Sequence, residues 1–247
     1  MVDILGVNIS NVNRKTSIEE SLELLSSEGK HLVFTPNANL TVKAIEDKQF
    51  EKVLNKSSLS IPDGMPLVII SKWLGTPIQE KVSGSTYFVD SLRAYASNGN
   101  SIFFFGGRQS VLDKVKNRIK NEVPNANIIG VYSPAMNFEK QPDTLKESLE
   151  ILKQNPADIL YVAASGGRGE KFLADHISEI PCKVAIQVGA AFDFYSGEVT
   201  PMPEFMKRIG LGWLFRLIMS PKRMFQRYFL HDIKIFKYAI QQKIRSK

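Results

Sequence analysis

Several apolar runs in this chain show no polar alternation. They are HLVFT (31–35), SIFFFGG (101–107), NIIGVYS (127–133), DILYVAAS (158–165) and KVAIQVGAAFDF (183–194). A strand with one face in water alternates polar and apolar residues, and these do not. Each must be covered on both faces, which predicts parallel pairing under two layers of helix. The intervening segments have helical spacing: TSIEESLELLSSEGK, PNANLTVKAIEDKQF, MPLVIISKWLG, GSTYFVDSLRAYASNGN, SVLDKVKNRIKNEVPN, DTLKESLEILKQNP and GRGEKFLADHISEIP. The fold class is therefore α/β: a doubly wound, mostly parallel sheet with helices on both faces. At 247 residues, 43% hydrophobic and 23% charged, the chain has room for such a body and an appendage.

That appendage is marked by charge. Residues 204–247 carry eleven Lys and Arg against Glu204 and Asp232, whereas residues 1–203 are close to neutral. The expected division is an α/β domain over 1–203 and a basic amphipathic helical appendage over 204–247. Phe225, Phe229, Ile233, Phe236, Ile240 and Ile244 recur at spacings of three and four, and Ser220-Pro221 supplies a helix start. Such a segment packs on its own domain, lies on an anionic membrane surface, or meets nucleic acid. One cysteine, Cys182, rules out an internal disulfide. The sequence start reads as no signal peptide, and no run approaches the roughly 20 apolar residues of a spanning helix.

Ligands of doubly wound sheets bind beyond the carboxyl ends of the strands. The residues there include Thr35, Asn37 and Asn39, then Asp63, Gly106, Ser165 to Gly169, and Gly189 to Asp193. Thr35 and the asparagines either cap a helix or grip sugar hydroxyls or a diphosphate. Asp63, in IPDGM, either caps the following helix or acts as a general base. The Gly-rich turns FFFGGRQS and VAASGGRGEK are tight turns or phosphate cradles. Neither matches a dinucleotide or Walker fingerprint, which disfavours a nucleotide-dependent oxidoreductase. His31, His176 and His231 have no metal-ligand spacing, and there is no D-x-D, so cations must serve any diphosphate.

Taken in order, TPNANL, IPDGMPLV, KVSGSTYFVDSL, IFFFGG, ADILYVAASGGRGEKFLADH and the long segment from QVGAAFDF to KRMFQRYF resemble the WecG/TagA/CpsF family of bacterial glycosyltransferases. The resemblance spans about Val7 to Tyr228, and the closing P-x-R-x-x-x-R-Y is its most specific part. It implies an inverting, metal-independent transfer from a UDP-sugar to a polyprenyl-diphosphate-linked sugar, in exopolysaccharide or cell-wall glycan synthesis. The moving sugar would be of N-acetylmannosamine type or a hexose. The resemblance makes Asp63 the base. It makes Thr35, Asn37, Asn39, Lys81, Gly106, Arg168, Glu170, Asp193, Arg216, Arg223 and Arg227 the substrate-binding set. No cofactor or metal, no nucleic acid and a peripheral place on the inner face of the plasma membrane follow, with homo-oligomerisation left open.

The chain departs from the family pattern in G-x-G-x-P-K-Q-E, where Gly167, Arg168 and Gly169 replace Pro, Lys and Gln before a retained Glu170. Thr86 replaces Asp in G-S-D, and Pro201-Met202-Pro203 stands for R-A-P. These changes leave a non-catalytic nucleotide- or lipid-binding protein as the alternative.

Overall fold

The computed structural model of the chain describes residues 1–199 and 212–245, without the side chains of Trp213, Arg216, Arg223 and Arg245. The expected boundary at 204 and the segment Pro201-Met202-Pro203 lie outside the described residues. The chain opens with a hairpin. β1 (Val2–Ile4) and β2 (Val7–Ile9) pair antiparallel around Leu5 and Gly6, both at positive φ. Next come α1 (Arg14–Ser26), β3 (His31–Phe34), α2 (Ala38–Glu46), α3 (Lys48–Leu54) and β4 (Leu59–Ser60). They are followed by α4 (Met65–Leu74), α5 (Gly84–Ser97), β5 (Ser101–Gly106), α6 (Gln109–Glu122) and β6 (Asn127–Tyr132). A 3₁₀ turn at Phe138–Lys140 leads to α7 (Pro142–Gln154), β7 (Ala157–Ala163), α8 (Arg168–His176), β8 (Cys182–Gln187) and α9 (Ala191–Tyr195).

Six strands form one parallel sheet in the order β4–β3–β8–β7–β5–β6. Both faces are covered, as the unbroken apolar runs require. Leu32, Phe34, Phe103, Phe105, Leu160 and Val162 face one core layer, with α2, α3, α4, α7 and α8. Val33, Ile102, Phe104, Ile159, Tyr161, Val184 and Ile186 face the other, with α5, α6 and α9 buried and α1 packed against it. Neighbours along each strand thus point to opposite layers. KVAIQVGAAFDF is strand only as far as Gln187. The chain turns at Gly189, whose φ is positive, and Ala191–Tyr195 is a short helix. The first helix begins earlier than TSIEES, because Asn13 and Thr16 cap each other across its first turn.

The C-terminal segment comprises α10 (Gly212–Met219), α11 (Pro221–Phe225), a π-helical turn at Gln226–Asp232 and α12 (Lys234–Arg245). α12 packs on α4 and α2, with Ile235 and Ala239 buried. Met224 is buried as well. Of the stripe read from the sequence, Phe236 packs against the core and Trp73, while Phe225, Phe229, Ile233, Ile240 and Ile244 are exposed. The π turn explains part of this shift, since the N–H of Ile233 donates to the carbonyl of Tyr228 at 3.1 Å, five residues back. One extra residue in a turn rotates everything after it by about 100° relative to an unbroken α-helix.

Phe88 is fully buried on α5, and its ring meets Phe104, Tyr161, Phe192 and Tyr195 edge-on at 5.1–6.1 Å between centroids. Phe88→Ala should therefore destabilise the chain by about 3–5 kcal/mol, read as a lowered urea midpoint.

Candidate active site

The carboxyl ends of β3 and β4 continue past the sheet as a paired extension. The N–H of Ile61 donates to Phe34 O at 2.8 Å, and that of Asp63 to Pro36 O at 2.9 Å. On its other side the N–H of Val82 donates to Pro62 O at 2.9 Å. Asp63 is thus gripped by its backbone between the Thr35–Asn37 segment and the Lys81–Val82 segment, with its side chain half-buried. Gly64 follows at φ 128°, a conformation open to glycine, and the chain turns sharply into α4 with Pro66 in its first turn. The N-cap of α4 is Gly64, which offers no side chain, and α4 has no side-chain cap hydrogen bond. Thr35 is buried beside the start of α5, where a Cβ on Gly84 would come within 3.1 Å of its Oγ1. The segments that carry Thr35, Asp63, Lys81 and Gly84 therefore lie together beyond the strand ends.

Asn37 is the N-cap of α2, and its Oδ1 accepts from the Leu40 N–H at 3.3 Å. The same oxygen accepts from Nη2 of Arg227 at 3.3 Å. Arg227 Nε also donates to Asp232 Oδ2 at 3.3 Å, and Asn39 Nδ2 donates to Asp232 Oδ1 at 3.1 Å. Four side chains thus fasten the π turn to the first turn of α2. Burial pushes the Asp232 carboxyl up, while Arg227 and Asn39 oppose that push. Of the three arginines expected here, Arg227 reaches the motif. The side chains of Arg216 and Arg223 lie outside the described ones.

At the centre of the sheet the Gly turns have packing reasons of their own. A Cβ on Gly106 would meet Ala163 O at 2.5 Å. A Cβ on Gly169 would meet Gln187 Cγ and Nε2 at 2.8 Å. Gln187 ties three strand-end groups together. Its Nε2 donates to Ala164 O at 2.6 Å and to Glu170 Oε2 at 3.1 Å, and its Oε1 accepts from the Gly189 N–H. Both amide hydrogens and the carbonyl are used, which fixes the orientation of the amide. Glu170 is 2% exposed, so its carboxylate works through Gln187 rather than at the surface. Arg168 leans outward, donating to Asn137 Oδ1 at 2.8 Å and pairing with Glu139 at 3.7 Å. Asp193 lies across the sheet mouth, 3.9 Å from Arg108.

Gln187, Arg108 and Asp232 were not singled out as site residues in the sequence reading. A glutamine inside an otherwise apolar strand was the available signal for the first. Arg108 stood in a Gly turn. Asp232 stood as a lone acid in a basic tail, with nothing to indicate its partners. Among the described residues, no group of three or more His, Cys, Asp or Glu side chains is arranged to hold a metal ion.

The strand ends of this α/β sheet thus gather an aspartate held by main-chain bonds, hydroxyl and amide side chains, and an arginine brought over from the C-terminal segment. The profile of the Glycosyl transferase WecG/TagA/CpsF family matches residues 2–247. The chain belongs to that family and is a glycosyltransferase. It is 31% identical over 192 residues to the N-acetylglucosaminyldiphosphoundecaprenol N-acetyl-beta-D-mannosaminyltransferase of Bacillus subtilis (strain 168), covering 78% of this chain and 73% of that protein. The protein of the same name from Bacillus spizizenii (strain ATCC 23059 / NRRL B-14472 / W23) is 28% identical over 83% of this chain and 77% of its own. That from Staphylococcus aureus (strain MRSA252) is 21% identical over 99% of this chain and 94% of its own.

Burial raises the Glu170 carboxyl to about 7, against the opposing pull of its own backbone N–H, Gln187 and Lys43. In the unfolded chain it would titrate near 4.5. Between these values the folded protein holds a proton that the unfolded chain has released. This group therefore lowers stability as the pH rises through that window, by about 3 kcal/mol in all. Glu170→Gln should remove this decline, so the variant gains on the parent from pH 5 to pH 8 in urea titrations run along a pH series.

Proposed function

We propose that the chain transfers a sugar of N-acetylmannosamine type, or a hexose, from a UDP-sugar to a sugar carried on polyprenyl diphosphate, with inversion. The observation that carries the reading is the placement of Asp63. Its N–H is held by Pro36 and the carbonyl of its neighbour Pro62 by Val82, which sets Asp63 beside the segments that carry Thr35, Lys81 and Gly84. The named relatives act on a diphosphoundecaprenol-linked sugar, which supplies the acceptor class.

In this reading Asp63 takes the proton from the acceptor hydroxyl as that oxygen attacks the anomeric carbon of the donor. The bond from the anomeric carbon to the diphosphate oxygen breaks on the opposite face, and UDP leaves with the bonding electron pair. Thr35, Asn37 and Asn39 orient hydroxyl groups around the reacting carbon. Lys81, Arg168 and Arg227, joined by Arg216 and Arg223, offset the charge growing on the diphosphate without a metal ion. Arg227 would turn from Asn37 toward the phosphate oxygens, a stronger partner for a guanidinium than a neutral amide. Gln187 and Glu170 hold the turns at 164–168 and 189–190 in a fixed relation beneath the donor.

A polyprenyl-linked acceptor stays in its bilayer, so the enzyme works at the membrane surface, and we assign it to the inner face. No helix among the described residues is long and apolar enough to cross a membrane. The basic C-terminal segment supplies attraction of about 1 kcal/mol per Lys or Arg near anionic lipid.

Asp63→Asn tests this assignment. It should lower transfer, read as UDP release with a lipid-linked acceptor, by about 10²- to 10⁴-fold and leave UDP binding within about twofold. Unchanged transfer removes Asp63 as the base, and a parent protein that binds UDP with no transfer to any lipid-linked sugar removes the enzyme reading.

A further inference from the structure

α4 begins two residues after Asp63 and carries an unusual outer face. Its inner side is buried through Leu67, Val68, Ile70 and Ser71. Its outer side presents Met65, Ile69 and Trp73, which are 44%, 37% and 46% exposed. These three positions are four apart and lie on one line along the helix. The line spans roughly 12 Å, eight residues at the rise of an α-helix.

At its far end α12 lies alongside. The rings of Trp73 and Phe236 are 5.8 Å apart between centroids. Beyond them Trp73, Ala239, Ile240, Lys243 and Ile244 line an open cleft of about 370 Å³. Lys243 is the cation among the lining residues, while Lys234, nearer the start of α12, is paired with Glu46 of α2 at 2.8 Å. The terminal helix thus leaves a concave, mostly apolar cleft where it meets α4, and the proposed base stands at the other end of the line.

We infer that this line and cleft bind the hydrocarbon chain of the acceptor, a prenyl chain ending in a diphosphate. This rests on the acceptor class proposed above and adds a site for it. A flat membrane surface calls for a convex or planar apolar face. A concave cleft lined by Trp73, Ile240 and Ile244, continuous with the exposed line of α4, fits an extended hydrocarbon. Met65, next to the turn at Gly64, meets the part of the chain nearest the diphosphate, and Trp73 with Ile240 holds a more distal part. Chain contacts at both ends of α4 orient the sugar hydroxyl toward Asp63. The acceptor is thereby recognised by its tail as well as its sugar.

The test uses farnesyl diphosphate, a short soluble prenyl diphosphate, beside inorganic diphosphate, with the full-length protein. Tryptophan fluorescence of the parent should change on adding farnesyl diphosphate, change little with inorganic diphosphate, and lose that response in Trp73→Phe. Trp73→Ala and Ile240→Ser should weaken farnesyl diphosphate binding, read by calorimetry, by about tenfold or more. Flotation with vesicles of phosphatidylglycerol and phosphatidylcholine should stay at the parent level for both variants. Both residues are at the surface, and unchanged thermal melts confirm that each variant folds.

Equal affinity of the parent for the two diphosphates overturns the proposal. So does loss of flotation in parallel with farnesyl binding, which assigns the face to the bilayer. Asp63→Asn should bind farnesyl diphosphate like the parent. If prenyl binding holds while no transfer to a lipid-linked sugar is found, the chain site stands and the transfer reading falls.

Discussion

The hydrogen bond from the Asp63 N–H to the Pro36 carbonyl carries pairing between β3 and β4 beyond the last residues of either strand. Parallel strands normally part at their carboxyl ends, and side chains there take whatever direction the loop allows. Here the loop after β4 is held for three more residues, then braced on its far side by Val82. The positive φ of Gly64 then ends the extension abruptly and starts α4. The backbone at the aspartate is therefore set by its own bond to Pro36 and by the bond between its neighbour Pro62 and Val82. Thr35, Lys81 and Gly84 fall around it because their segments make those bonds.

A second set of constraints works under the middle of the sheet. Gln187 takes the space that a side chain at 169 would fill, and it satisfies groups from β7, α8 and the turn after β8. The family pattern calls for a glutamine at 169, and this chain has glycine there with a carboxamide arriving from the neighbouring strand. The two features make sense together. A buried amide with every hydrogen-bonding group used is stiff, and the acid beside it is kept near its titration point by burial.

Much of this was legible in the sequence, and the limits have physical causes. Strands with apolar residues on both faces can be buried only in a parallel sheet between helices, so the fold class followed from SIFFFGG and its counterparts. The hairpin at Val2–Ile9 was missed because three-residue strands are too short for a period to register. Asp63 and Thr35 could be named from their place between a strand and a helix. Their contacts could not, since Pro36, Val82 and Gly84 lie up to 48 residues apart in the chain. Asn37 read equally as a cap or a ligand-binding group, and it is a cap that also accepts from Arg227. The outward turn of Phe225, Phe229 and Ile240 was hidden because a helix wheel assumes an unbroken period, and nothing in QRYFLHD announces a π turn.

That turn sits where Arg227 and Asp232 meet Asn37 and Asn39. The clamp on α2 and the rotational setting of α12 are consequently a single mechanical part. Rewinding the bulge into regular α-helix would carry both clamp residues off their asparagines and swing Ile235 and Ala239 out from under α4 in the same motion. The register of that one turn therefore sets both of the segment's attachments to the sheet domain.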